Sequence, residues 1–271
     1  MGKGFDILKA RYILLIFLAY IASGSIISYF FTAIGMDYIF GFSDLLLNLT
    51  LLAVLFWALA RYRIKAKNIF GRIPITGIWL TVVFLVIVVG MFSVAVAVFQ
   101  EYFFPRNATN NDFYGLYNFS DPVSLVIGNI SIVIIIPLIE ELIFRGILIH
   151  RWSRKWSKRT AILLSSFVFG IGHIDPIGAF AFGVISSLLY IKTKSLWVSI
   201  GAHSLNNFLV SLVLISIVST APAIRENHAL TGADLMFPGI MILITLPILI
   251  FYIKTNWPRG KLPYNINSGS K

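Results

Sequence analysis

The feature that most constrains this chain is a series of eight long apolar runs. Most of them are long enough to cross the roughly 30 Å hydrocarbon layer of a bilayer as a helix. Their ranges are 12–33, 44–60, 77–100, 123–149, 160–174, 177–191, 196–219 and 236–254. With 58% hydrophobic and 12% charged residues, the composition is that of a membrane protein. Because backbone inside lipid must satisfy its own hydrogen bonds, the sequence predicts an all-α, polytopic membrane protein with about eight transmembrane helices.

The distribution of basic residues favours eight full crossings. The fifth and sixth runs are short, and the break between them contains His173, Asp175 and Pro176, so a re-entrant hairpin is an alternative. If the N-terminus is cytoplasmic and every run crosses, all of the 22 Lys and Arg residues except Arg106 and Arg225 lie at or near cytoplasmic connections. A hairpin would reverse this bias downstream. We therefore predict a multi-pass protein of the cell membrane with both termini in the cytoplasm.

Composition also limits the chemistry and the partners. The chain has no cysteine, which excludes disulfides, thiolate metal sites and a cysteine nucleophile. Its net charge of +11 comes from basic inner loops, so membrane lipid, and no nucleic acid, is the expected partner. We expect one integral membrane domain over 1–271, with an uncleaved first run and a disordered cytoplasmic tail over 258–271. Nothing in the sequence indicates an oligomeric state.

Few ionisable or amide side chains remain inside the apolar runs. Such groups are costly at membrane depth and usually serve a function. They are Glu140, Glu141 and Arg145 in the fourth run, His173 at the end of the fifth, and His203, Asn206 and Asn207 in the seventh. Because a cluster of this kind is tolerated only around a water-filled cavity, we predict a buried polar active-site cavity.

The two adjacent glutamates are expected to differ. Glu141 and Arg145 stand four residues apart on one helix face, in the favourable order for an ion pair. Glu140 points about 100° away, and a carboxylate without a neighbouring cation in a low-dielectric site suits general base work on water. The alternative is that both glutamates only tie helices together around Arg145.

The histidines divide into two groups. His203 and Asn207 share one helix face, and His173 ends a glycine-containing segment that another backbone can approach closely. Depths counted at 1.5 Å per residue place these groups and Glu140 in one layer of the inner half of the membrane. The alternatives are a packing histidine and an interhelical hydrogen-bonded pair. His150 and His228, at the inner boundary and in an outer connection, are expected to be solvated surface residues.

Three motifs occur in order in successive runs. They are Glu140-Glu141-x-x-x-Arg145, Phe169-x-x-x-His173 and His203-x-x-x-Asn207. Together they resemble the motifs of the CAAX protease and bacteriocin-processing family, also called Abi. The resemblance covers about 123–215, the motif-bearing core, and the first three runs and the last carry no matching motif.

The resemblance implies an eight-helix intramembrane endopeptidase related to the type II CAAX prenyl endopeptidases. In that family pattern Glu140 and His173 activate a water molecule, and His203 and Asn207 stabilise the oxyanion. Glu141 and Arg145 match the first motif and are expected to shape the site. Hydrogen-bond donors directed at developing charge are what peptide hydrolysis in a dry site needs. The expected substrate is a peptide or a membrane protein.

Two questions stay open at this level. Glu140, His173 and His203 match the composition of a His2Glu zinc site, but no H-E-x-x-H helix occurs. A water activated without metal is therefore favoured, and zinc is the alternative.

The function also has alternatives. The same fold occurs in bacteriocin self-immunity and regulatory proteins, where peptide binding dominates, and buried Glu and His also serve as proton relays in transporters. A transporter is disfavoured because no internal repeat is visible.

Overall fold

The structure, a computed structural model, describes residues 3–35, 40–75, 77–105, 122–220 and 231–258. All regular elements in these ranges are helices, so the predicted all-α class is confirmed. The α-helices are α1 (Lys3–Ile7), α2 (Ala10–Ala33), α3 (Phe40–Arg61), α4 (Ala66–Phe70), α5 (Ile78–Phe103), α6 (Pro122–Ile130), α7 (Ile136–Glu141), α8 (Ile149–Lys155), α9 (Lys158–Ile171), α10 (Pro176–Thr193), α11 (Leu196–Thr220) and α12 (Met236–Asn256). A 3-10 turn, Gly232–Leu235, precedes α12.

Each predicted apolar run overlaps a helical segment. The fourth run corresponds to a continuous helical segment over 122–155, which we call the glutamate helix. It contains α6, α7 and α8, joined by two π-helical stretches, Ser131–Ile135 and Leu142–Leu148. Such wider turns are rare and occur often at functional sites. The glutamate helix packs against α3, α9 and α11, and α5 packs against α10, α11 and α12.

Six helices in the described ranges are long and apolar enough to cross a membrane. They are Ala10–Phe31, Gly41–Arg61, Ile78–Phe103, Pro176–Thr193, Leu196–Val213 and Gly232–Asn256. The glutamate helix is interrupted by its π-helical stretches, and α9 has 14 residues, which gives it a length of about 21 Å. The glutamate helix is long enough to cross as a whole, whereas α9 is short for a full crossing, and the number eight stays a prediction.

The outward faces of the helices are apolar. Leu80, Leu243 and Phe251 are 78%, 75% and 70% exposed, and many other large apolar side chains face outward in the same way. A surface of this kind is unfavourable in water and is accommodated by lipid tails. Together with the six long apolar helices, it shows that the chain is a membrane protein.

The turn between α9 and α10 is built for close packing. A Cβ added at Gly170 would lie 2.7 Å from the Pro176 carbonyl oxygen, so only glycine fits where α10 begins. Asp175 caps α10 by accepting the Gly178 N–H at 3.0 Å, and it also accepts the Ser93 hydroxyl from α5. The turn that carries His173 is therefore fixed on both sides.

The direction of the chain in the membrane can be tested with reporters. From the charge distribution we expect a reporter fused after Ser157, Thr193 or Lys271 to be cytoplasmic and one after Asn110 or Glu226 to be external. Alkaline phosphatase and green fluorescent protein fusions measure this, since the first is active only outside and the second fluoresces inside. An external reading after Lys271 would contradict eight crossings and support the hairpin. Of the expected tail over 258–271, only Pro258 lies within the described residues.

Candidate active site

Glu141 is the centre of a fully buried polar network. Its side chain is 0% exposed, and its Oε1 accepts Arg145 Nη1 at 2.7 Å, so the predicted ion pair is present. Ser186 Oγ donates to Glu141 Oε2 at 2.9 Å from α10, and His203 Nδ1 lies 3.0 Å from Oε1 on the side of α11. One carboxylate therefore joins the glutamate helix to two other helices.

Arg145 is held by more than its carboxylate. Its side chain is 1% exposed, its Nη2 donates to the Gly183 carbonyl at 3.3 Å, and its guanidinium carbon lies 4.6 Å from the centroid of the Phe169 ring. A Cβ at Gly183 would meet Ser166 at 2.9 Å, so glycine is needed where α10 crosses α9. Arg145 Nε is buried without a hydrogen-bond partner among the described residues. The guanidinium therefore depends on its remaining partners, since burying an incompletely paired charge costs several kcal/mol.

His203 lies between the two glutamates. While its Nδ1 faces Glu141, its Nε2 lies 3.6 Å from Glu140 Oε2. The ring centroid is 5.6 Å from that of Phe169 and 5.1 Å from that of Phe182, and the side chain is 4% exposed. The aromatic rings exclude lipid and water from two sides, so both imidazole nitrogens are directed at carboxylates.

His173 approaches Glu140 from the end of α9. Its Nδ1 donates to the Phe169 carbonyl at 2.7 Å, because a carbonyl can only accept. Its Nε2 then faces Glu140 Oε2 at 4.0 Å. The side chain is 35% exposed, compared with 14% for Glu140 and 4% for His203. His173 is thus the member of the cluster nearest to open space.

Glu140 has acceptor capacity that the protein does not use. Its Oε2 is buried and has no hydrogen-bond partner among the described residues. The imidazole nitrogens at 3.6 and 4.0 Å are beyond hydrogen-bond distance. In a structure where buried polar atoms are normally paired, this oxygen is suited to accept a proton from a bound molecule.

Asn207 is placed differently from the other predicted site residues. Its Nδ2 donates to the Ile132 carbonyl at 2.9 Å, in the first π-helical stretch. In the i→i−5 pattern of a π-helix the partner of this carbonyl would be residue 137, which is proline and has no N–H. Asn207 therefore supplies the donor that Pro137 lacks. Its second amide hydrogen is available, and it lies one helical turn beyond His203.

The structure thus brings Glu140, Glu141, Arg145, His173 and His203 into one cluster, with Asn207 at its edge. Sequence reasoning missed Ser186, which donates to Glu141. Serine is common in membrane helices, so its position in α10 carries no distinguishing signal. The roles predicted for these residues are not decided by the contacts alone.

The expectation that His150 is a solvated surface residue is wrong. His150 is 6% exposed, its Nε2 lies 2.7 Å from Tyr190 Oη, and the Phe5 ring stacks on it with centroids 5.2 Å apart. The short helix α1 covers this end of the glutamate helix, which a hydropathy profile does not reveal. His228 lies outside the described residues.

The residues of the alternative zinc set, Glu140, His173 and His203, lie close together. No group of three or more His, Asp or Glu side chains within the described part of the chain is arranged to hold a metal ion. Glu140, His173 and His203 are brought together as a polar cluster, with His203 already engaged by Glu141. Zinc ligation by this set stays the alternative to a water molecule activated without metal.

The fold and the cluster define a helical membrane protein with a buried carboxylate and imidazole centre. Residues 122–209 match the family model described as type II CAAX prenyl endopeptidase Rce1-like, so the resemblance predicted from the motifs is confirmed over this segment. The chain is also 35% identical over 97 residues to a Bacillus subtilis (strain 168) protein named "Putative membrane peptidase YdiL". That match covers 34% of this chain and 38% of YdiL. No solved structure matches.

Proposed function

We propose that this chain is an intramembrane endopeptidase in which Glu140 activates a water molecule. The observation that carries the proposal is the buried Glu140 Oε2, which has no hydrogen-bond partner in the described ranges and faces two imidazole nitrogens. The family match over 122–209 and the named relative support a membrane protease. The whole motif cluster falls within the matched segment.

In the proposed mechanism the Glu140 carboxylate takes a proton from water as the water oxygen attacks the substrate carbonyl carbon. His173 Nε2 accepts the other hydrogen of that water and so orients it, because Nδ1–H is committed to the Phe169 carbonyl. Glu140 then passes its proton to the leaving nitrogen as the C–N bond breaks. The products are a carboxylic acid and an amine, and no covalent intermediate with the enzyme forms.

His203 and Asn207 are proposed to stabilise the oxyanion of the tetrahedral intermediate. To donate from Nε2 while its Nδ1–H bonds to the Glu141 carboxylate at 3.0 Å, His203 carries a hydrogen on both ring nitrogens. Removal of one such donor in other hydrolases costs about 2.7–4 kcal/mol in the transition state. Glu141 acts through His203 and is a positioning residue.

A cleavage assay with chelation tests the function and the metal question together. We expect the purified chain, reconstituted in lipid nanodiscs, to cleave membrane-embedded peptides at a defined bond identified by mass spectrometry. If Glu140 activates the water itself, prolonged chelation should leave activity within about twofold, and the protein should hold far less than one equivalent of zinc. Stoichiometric zinc that is lost with activity and restores it on re-addition would instead reassign Glu140, His173 and His203 as ligands.

The same assay separates catalysis from peptide binding. A peptide that binds tightly to the reconstituted parent chain and stays intact across a broad substrate panel would contradict the proposed hydrolysis. That result would favour the immunity or regulatory alternative, in which the same cluster only recognises a peptide.

A further inference from the structure

A basic cavity lies at the opposite end of the glutamate helix from the first π-helical stretch. It has a volume of about 380 Å³ and is formed where α2 begins and α8 ends. Four of its lining residues are basic and two are tryptophans: Lys9, Arg11, Arg151, Lys155, Trp152 and Trp156. The peptidase mechanism uses none of them.

The cations of this cavity have no anionic partner among the residues that the structure describes. Within the described ranges, Lys9, Arg11, Arg151 and Lys155 form no ion pair, and Arg151 Nε is buried without a hydrogen-bond partner. Acidic residues are scarce in the segments that form the cavity, because none occurs over 142–174 and Asp6 is the one acidic residue over 1–36. A buried guanidinium N–H without an acceptor is costly. The cavity is therefore complementary to an anion that the described residues do not supply.

The position of the cavity indicates where that anion comes from. From Ala10 onward α2 is an apolar helix suited to span a membrane, so its first turn lies at headgroup level. Tryptophans concentrate at this level in membrane proteins, and Lys155 Nζ lies 4.7 Å from the Trp156 ring centroid. Leu14 lines the cavity and Leu18, one turn deeper on the same face, is 59% exposed. A headgroup in the cavity would have its acyl chains along this apolar face.

We propose that the cavity binds the phosphate of an anionic membrane phospholipid. Arg151, whose Nε is buried, is the donor to the phosphate, and Lys9 and Arg11, both exposed, close the site from α2. The partial positive charge at the N-terminus of α2 also favours an anion at this place. The bound lipid bridges α2 and the glutamate helix, which carries both glutamates of the candidate active site.

The experiment measures binding of phosphatidylglycerol to the full detergent-purified chain by native mass spectrometry and thermal unfolding. A surface cation contributes about fivefold to binding an anionic membrane, so Lys9→Gln with Arg11→Gln should weaken phosphatidylglycerol binding by roughly 25-fold. These exposed positions leave folding intact, and Arg151→Gln should reduce binding further. The matched control is Arg61→Gln with Lys254→Gln, which removes two exposed cations outside the cavity.

Phosphatidylcholine and inorganic phosphate are the comparison ligands. Weaker phosphatidylglycerol binding in the cavity variants, with unchanged binding in the control variant, supports the site. Equal loss in both double variants would mean that only net charge matters and would overturn it. Inorganic phosphate that raises the unfolding temperature as much as phosphatidylglycerol, with the same dependence on Arg151, would assign a free anion and contradict lipid recognition. Binding of phosphatidylcholine as tight as that of phosphatidylglycerol would also contradict recognition of an anionic lipid.

Discussion

Replacement of Glu140 by glutamine is expected to lower kcat/KM for peptide cleavage by about 10²–10⁴-fold, the contribution typical of a positioned general base. The amide is nearly isosteric with the carboxylate but cannot accept the proton of the attacking water. Because Glu140 Oε2 makes no hydrogen bond to the described residues, the substitution breaks no hydrogen bond at this atom and weakens only the charge contacts with His173 and His203 at 4.0 and 3.6 Å. The unfolding free energy should therefore stay within about 1 kcal/mol of the parent value.

The measurement pairs peptide cleavage in nanodiscs with thermal unfolding of the same preparations. Glu141→Gln is the matched control, since it makes the identical chemical change at the adjacent position. It should retain partial activity and lose stability, the opposite pattern from Glu140→Gln. Activity of the Glu140 variant equal to that of the parent would contradict the proposed mechanism.

Replacement of Glu141 by alanine is expected to destabilise the fold by about 3–5 kcal/mol, the usual cost of removing one partner from a buried ion pair. Arg145 would keep its charge at 1% exposure with only the Gly183 carbonyl as an acceptor. Ser186 and His203 would lose their shared partner as well. Thermal and denaturant unfolding in detergent measure the loss.

A double-mutant cycle shows whether the loss comes from the unpaired charge. Glu141→Met combined with Arg145→Met removes both charges, so the double variant should be more stable than the sum of the single effects predicts, by about 2 kcal/mol or more. Arg61→Met, at an exposed position on α3, should change stability by less than about 0.5 kcal/mol. Strict additivity of the two buried substitutions would show that the pair contributes only packing.

The ion pair and the helices could be predicted because they depend on local properties of the sequence. Hydropathy over about 20 residues sets which segments lie in lipid, and the spacing of Glu141 and Arg145 sets their common face. Helix geometry also predicted that Glu140 does not share the face of Glu141 and Arg145, since adjacent residues on a helix point about 100° apart. These relations hold whatever the rest of the chain does.

Contacts between helices could not be predicted in this way. The sequence predicted that His203 and Asn207 share one face of their helix. In the structure His203 Nδ1 contacts Glu141, whereas Asn207 donates to the Ile132 carbonyl. Ser186 and the burial of His150 under Phe5 likewise depend on which helices lie side by side. That arrangement is set by close approaches such as those at Gly170 and Gly183, where the exact fit of two backbones decides the distance.

The sequence by itself therefore determined that the protein lies in a lipid bilayer and which segments are helical. It also determined the small set of polar residues that are costly at membrane depth and usually serve a function. Tertiary packing alone decided how the groups on separate helices meet, because hydropathy does not encode helix neighbours. It placed His173 and His203 beside the unpartnered Glu140 oxygen. It also gathered Lys9 and Arg11 with Arg151, more than a hundred residues away in the chain, around one cavity.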